Sequence, residues 1–179
     1  MKKHILILLL SLSLPVFANA EVLIQGSVDW GISGIDGIIF PMPFDHEILV
    51  MYEFPELGRF SVAAGGGVIF PFGVFMPALS TDMGFKLFET ENYDFSIHWE
   101  LAGGMIPFPT YYKDDDGNEI LRYTHMYANT ALLASWHWSK SKLYVQTGPS
   151  YGLLRLHNGL GEPEFFNRFG IRSVFGIRL

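Results

Sequence analysis

Between Val22 and Leu179 the chain repeats one pattern eight times: every second residue is apolar and uncharged, and the residues between are small or polar. A period of two is the pitch of a β-strand, so each repeat is read as a strand with two unlike faces. The first sets Val22, Ile24, Val28, Trp30 and Ile32 against Gln25, Ser27, Asp29 and Ser33. The fifth sets Phe95, Ile97, Trp99, Leu101 and Met105 against Asp94, Ser96, His98, Glu100 and Ala102. None of the apolar faces carries a charge, although 17% of the chain is charged, and all four tryptophans fall on them. Side chains this numerous and bulky overfill one small core. The apolar face is therefore expected to meet lipid, where only helices and edgeless sheets satisfy every backbone amide. The fold class predicted is all-β, an eight-stranded antiparallel up-and-down transmembrane β-barrel, with segments near the ~9–11 residues that a tilted membrane strand needs.

The spacing between segments supports this independently. Short turns are read at Pro55 to Gly58, Glu89 to Asn92 and Ser139 to Lys142. Long connections are read around Gly34 to Asp45, Pro71 to Ala78, Ile106 to Thr124 and His157 to Arg168. Three short turns on the periplasmic side and four long loops outside are what eight strands with both termini in the periplasm require.

The N-terminus has a separate logic. Lys2 and Lys3 precede the apolar run from Ile5, which ends at the small residues Ala18-Asn19-Ala20. Residues 1–20 are expected to be a secretory signal peptide, leaving 21–179 as the barrel. Removing two lysines and no acids takes the net charge from −6 to −8, which argues against nucleic acid as a partner. With no cysteine there is no disulfide, thiolate metal site or thiol nucleophile.

These strands and loops, with the C-terminal segment Phe169 to Leu179, resemble the small eight-stranded outer-membrane barrels of the OmpA membrane domain, OmpX and OmpW type. The resemblance covers the whole mature chain and is architectural. It implies a bacterial outer-membrane location, contact with outer-membrane lipids and lipopolysaccharide, and recognition of the last strand by the outer-membrane assembly machinery. Phe175, Ile177 and Leu179 keep the alternation of such a strand, but the final residue is leucine where the family has an aromatic.

Inward side chains just fill a barrel of eight strands, so no open pore is expected. The inward set holds the acids Asp29, Glu47, Glu53, Asp82 and Glu100 and the bases Arg59, Lys86, Arg172 and Arg178, which suits an internal ion-pair network. Setting Val22 opposite Leu179 at the closure places Asp29 opposite Arg172. Glu53 and Arg59 flank a tight turn and are expected to meet.

Little else points to chemistry. His98 and Glu100 share a face, a spacing that suits an acid–base pair or two metal ligands, but no third ligand or nucleophile stands at a diagnostic distance. His137-Trp138-Ser139 faintly resembles the His-x-Ser of outer-membrane lipid A deacylases, yet it lies beside a periplasmic turn. Asp114 to Glu119 is acidic, but a calcium loop counted from Asp114 lacks its sixth-position glycine and twelfth-position glutamate, so a solvated turn is expected. No catalytic residue, metal or cofactor is assigned. The long loops are rich in proline and aromatics, which continue the interfacial girdle and extend it into an apolar surface. The leading expectation is a non-enzymatic barrel with a structural or surface-interaction role through these loops. The alternative, drawn from the OmpW resemblance, is an apolar mouth of Phe40, Phe44, Phe72, Phe75 and Phe108 that binds or passes small hydrophobic molecules.

Overall fold

The computed structural model describes residues 20–35, 38–71, 75–106, 110–113, 116–117, 119–122, 125–156 and 164–179. The signal peptide expected over 1–20 lies outside them but for its last residue. Among the described residues there are ten strands: β1 (Glu21–Ile35), β2 (Ile38–Glu53), β3 (Phe60–Ile69), β4 (Met76–Glu89), β5 (Tyr93–Met105), β6 (Thr110–Lys113), β7 (Glu119–Arg122), β8 (His125–Trp138), β9 (Leu143–Leu156) and β10 (Glu164–Arg178). Eight of them close into a barrel in the order β1-β10-β9-β8-β5-β4-β3-β2. Each neighbouring pair in the barrel is antiparallel. The other two, β6 and β7, form a separate hairpin within the connection from β5 to β8.

Closure follows the side-chain pattern. β1 meets β10 with Ile24 opposite Ile177 and Asp29 opposite Arg172, and the Leu179 amide donates to the Val22 carbonyl at 2.8 Å. A slip of one residue would turn Asp29 into lipid and Trp30 into the lumen, so burial of the charged face fixes this register.

The first long connection differs from expectation. Residues expected to form a loop from Gly34 to Asp45 are largely strand, for β1 and β2 stay paired up to Ile35 opposite Ile38. Ile38, Ile39 and Phe40 are strong strand formers. Pro41 and Pro43 lack an amide donor, but β2 pairs with β3 only from Glu47 downward, so the prolines sit where one edge of β2 has no neighbouring strand to satisfy. A register shift between Asp29 and Trp30 marks a β-bulge in this pair, while β1 stays in the wall against β10 as far as Ser33.

The outer wall is apolar around its circumference. Val50, Val62, Met83, Ile97, Leu132 and Phe175 all project outward and exposed. Near the periplasmic turns Phe88 stacks on Phe95 with centroids 5.3 Å apart, and Phe95 packs on Trp136 at 4.7 Å. Toward the extracellular end Tyr151 packs on Phe169 at 4.9 Å. These rings form the girdles that mark the two membrane interfaces. Trp99 lies between the girdles, where its indole N–H would be unpaired in hydrocarbon. It donates to Thr130 Oγ1 on the neighbouring strand at 2.8 Å.

Candidate functional site in the barrel lumen

The inward positions of successive strands converge on one guanidinium. Arg172 is 1% exposed and reaches three acids from three other strands. Its Nη1 donates to Asp29 Oδ2 at 2.6 Å, while Nε and Nη2 donate to Glu100 Oε2 and Oε1 at 3.0 and 2.7 Å. Nη2 also meets Glu47. The fork of an arginine holds a carboxylate at two points, which gives direction as well as charge. Hydroxyls and an amide complete the acids' coordination: Ser150 Oγ donates to Asp29 at 2.6 Å, Asn129 Nδ2 to Asp29 at 3.1 Å, and Ser80 Oγ to Glu100 at 3.3 Å.

A second cation stands nearer the extracellular end. Arg168 pairs with Asp45 and donates from Nη2 to the Tyr127 hydroxyl at 2.8 Å, and the Tyr127 hydroxyl in turn donates to Asp45. Arg168 also lies 3.8 Å from Asp29, which joins the two clusters. Gly152 makes room for it, since a Cβ there would lie 2.9 Å from Arg168 Nη2. Neither Asp45 nor Arg168 is among the luminal residues expected from the sequence, because both fall in segments read as loops. Their strand periodicity is the signal that could have found them. Above and below, apolar side chains fill the bore: Ile69, Met76 and Leu154 toward the outside, and Leu49, Met51, Leu133 and Val174 toward the periplasm.

The periplasmic half holds a chain of side-chain hydrogen bonds. His98 Nδ1 lies 2.7 Å from Asp82 Oδ1, and Ser96 Oγ lies 2.8 Å from His98 Nε2. The Asp82 carboxylate can only accept, so His98 donates to it through Nδ1, and its Nε2 bonds the Ser96 hydroxyl. Gly84 clears the space, because a Cβ there would stand 2.6 Å from His98 Cε1. Serine, histidine and aspartate in this order match the nucleophile, base and orienting acid of acyl transfer. Beside them is a cavity of about 30 Å³ lined also by Gln25, Tyr144, Gln146 and His137. That space suits a water or two and is too small for an acyl substrate. Ser96 is also 7% exposed, so the arrangement as it stands supports the fold and leaves a substrate carbonyl no place to sit.

The remaining predicted residues distribute as follows. His98 and Glu100 share a face but turn to different partners, Asp82 and Arg172. His137 binds Asp94 at 2.7 Å, and Ser139 lies in the following turn with its amide on the Asn92 carbonyl. Glu53 does not meet Arg59; it pairs at 2.9 Å with Arg178, which also reaches Glu21 at 3.4 Å. β2 ends at Glu53 and β3 begins only at Phe60, so Arg59 belongs to the turn and is exposed outside the luminal network. Lys86 likewise leaves the network. A bulge between Lys86 and Phe88 lies at the periplasmic rim, where the ammonium meets Glu56 at 3.0 Å and Glu89 at 3.3 Å.

Of the five phenylalanines expected to form an apolar mouth, Phe72 and Phe108 lie outside the described residues, as do the side chains of Phe40 and Phe44. Phe75 is exposed and packs edge-on against Phe70, 5.2 Å away. Asp114, Asp115 and Asn118 also lie outside the described residues, within the β6–β7 hairpin. Among the described residues no group of three acids, histidines or cysteines is placed to hold a metal.

Charges line the inside of this barrel and apolar side chains cover the outside, the inverse of a water-soluble barrel. The protein is a transmembrane β-barrel of eight strands. Comparison of its structure with solved structures finds the Neisserial surface protein A (NspA) at 6% identity, covering 88% of this chain and 97% of that one with a TM-score of 0.43. It also finds Ail, the attachment invasion locus protein of Yersinia pestis, solved with the heparin analogue sucrose octasulfate, at 10% identity with coverages of 88% and 99% and a TM-score of 0.35. The NanC porin matches at 11% identity with coverages of 88% and 100% and a TM-score of 0.27. No family model matches the sequence, and no curated protein matches it.

Proposed function

We propose that this protein is a sealed, non-enzymatic outer-membrane barrel that acts through the surface it presents outside the cell. The observation that carries this reading is the closure of the lumen by Arg172 with Asp29, Glu47 and Glu100, each of these side chains at most 2% exposed. A bore blocked by an ion-paired guanidinium and packed with Leu49, Leu133 and Val174 leaves solutes no path, so contact with other molecules falls to the outer face. The strands support this. β1 has 15 residues and β2 has 16, where about 11 suffice to span a membrane. At about 3.4 Å per residue along strands tilted about 45°, the excess raises their hairpin on the order of 10 Å beyond the hydrocarbon. The β6–β7 hairpin stands on the same side, in the connection between β5 and β8.

In this reading residues 1–20 direct export, the β10 strand is read by the assembly machinery, and the hairpins meet a surface partner or lipopolysaccharide. The OmpW-like alternative gains nothing from the described residues, where Ile69, Met76 and Leu154 pack the extracellular end of the bore. Purified protein in planar bilayers is expected to give no steady conductance. Reproducible single-channel steps would overturn the sealed reading in favour of a channel.

A further inference from the structure

Near its extracellular end the outer wall carries an apolar groove. Across four neighbouring strands the outward residues at one level are Leu79, Gly103, Ala128 and Leu153. Glycine and alanine leave a trough between two leucines, and Leu79 stands 76% exposed as its wall. A Cβ at Gly103 would meet nothing closer than the Tyr127 carbonyl oxygen at 3.4 Å, so the trough floor is bare because of composition and not because backbone crowds it. The groove, of about 380 Å³, is lined by Pro77, Leu79, Gly103, Met105 and Met126. Leu79 on β4 is one wall and Met126 on β8 the other, two strand spacings or about 10 Å apart, which admits an acyl chain. Methionines at its upper edge adapt their shape to whatever lies against them.

A cation stands at the top of this groove. Met105, Met126 and Arg155 are consecutive partners along the next level outward, and Arg155 Nη1 leans on Met126 Sδ at 3.9 Å. Arg155 alternates with the inward residues Gly152 and Leu154 and so faces outward, beside Phe165. Among the described residues no carboxylate pairs with it. A diagonal neighbour on β10, Asn167, accepts the Tyr151 hydroxyl on its Oδ1 at 2.6 Å, which commits the oxygen end of the amide and leaves its nitrogen as a second donor. A guanidinium placed where hydrocarbon gives way to headgroups needs a counter-anion at that depth, and phosphate fits its fork.

We infer that this groove holds lipopolysaccharide by its lipid anchor, with an acyl chain on the Gly103–Ala128 floor and a phosphate on Arg155 and Asn167. The short turns mark the opposite end of the barrel as periplasmic, so the groove faces the leaflet in which the acylated, phosphorylated lipid is lipopolysaccharide. The inference needs only the outer-membrane barrel and holds whether or not the hairpins meet a partner.

The test is native mass spectrometry of the full mature barrel, taken from outer membranes in mild detergent, with heat-modifiable migration as the check on folding. The parent should retain lipopolysaccharide near one per barrel, and added phosphatidylglycerol should not displace it. Arg155→Gln should lower retention about tenfold, the scale of one charge-assisted hydrogen bond. Gly103→Leu, which fills the floor, should lower it similarly, and Lys142→Gln in a periplasmic turn should leave it unchanged. Equal retention by folded Arg155→Gln and parent would overturn the inference, as would displacement by phosphatidylglycerol at the same concentration, which would mean a general anionic-lipid surface. If Gly103→Leu fails to fold, Arg155→Gln decides alone.

Discussion

Asp29 and Arg172 face each other across the seam where β1 and β10 close the barrel, and their side chains meet at 2.6 Å. The pair joins the first and last strands of the barrel at mid-wall. Because Arg172 also serves Glu47 and Glu100, its loss leaves three buried carboxylates facing one another. Arg172→Met is expected to destabilise the barrel by about 3–5 kcal/mol, the cost of orphaning buried charges. Urea midpoints of refolded protein in lipid vesicles, followed by gel migration, measure the loss.

The seam is legible in the sequence because inward charges and outward apolar residues admit one register. Where alternation is strong, as in β5 and β8, the strands are legible too. The extension of β1 and β2 is hidden by Pro41 and Pro43, which signal a loop unless the adjoining edge is known to be unpaired. Those two prolines conceal Asp45, and a loop reading of the residues before Phe169 conceals Arg168, so the upper ion cluster emerges only from the folded barrel. Arg59 and Lys86 are misplaced for different reasons. Arg59 lies in a turn where the periodicity breaks, while Lys86 keeps the inward phase opposite Ser96 but stands at the periplasmic rim, where its partners are Glu56 and Glu89. Ser96 and His98 show their shared face by spacing alone, but Asp82 joins them only through the pairing of β4 with β5, which no local pattern reveals.

Leu132 is 54% exposed on the outer wall, and its neighbour Leu133 is fully buried in the lumen. Leu132→Arg places a charge in hydrocarbon, at a cost of about 2–4 kcal/mol at mid-depth. Leu143→Arg, beside the periplasmic turn, should cost about 0–1 kcal/mol, because a charge near the interface stays hydrated. Folding midpoints of the two variants in vesicles give the comparison. Equal costs would mean that the outer wall is not in lipid.

Gly152 is the socket for Arg168, whose Nη2 would stand 2.9 Å from an added Cβ. The clash is with the end of a flexible side chain, so Gly152→Ala should be mild. Gly152→Val should push the guanidinium off Asp45 and Tyr127 and cost about 1–3 kcal/mol, the scale of buried groups left unsatisfied. Tyrosine fluorescence and unfolding midpoints of the two variants separate these outcomes.

The Ser96–His98–Asp82 chain offers the sharpest check on the absence of chemistry. Its hydrogen bonds have the lengths and order of a hydrolase, so folded protein in detergent should be challenged with a fluorophosphonate probe and a small chromogenic ester. With room for only a water or two beside Ser96, neither labelling nor turnover above a Ser96→Ala control is expected. The histidine should matter to the fold instead. His98→Leu leaves Asp82 and Ser96 buried without their shared partner and should cost about 1–3 kcal/mol. Labelling that vanished in Ser96→Ala would show that the periplasmic half of the bore opens to substrates, and would convert the relay from a structural element into a catalytic one.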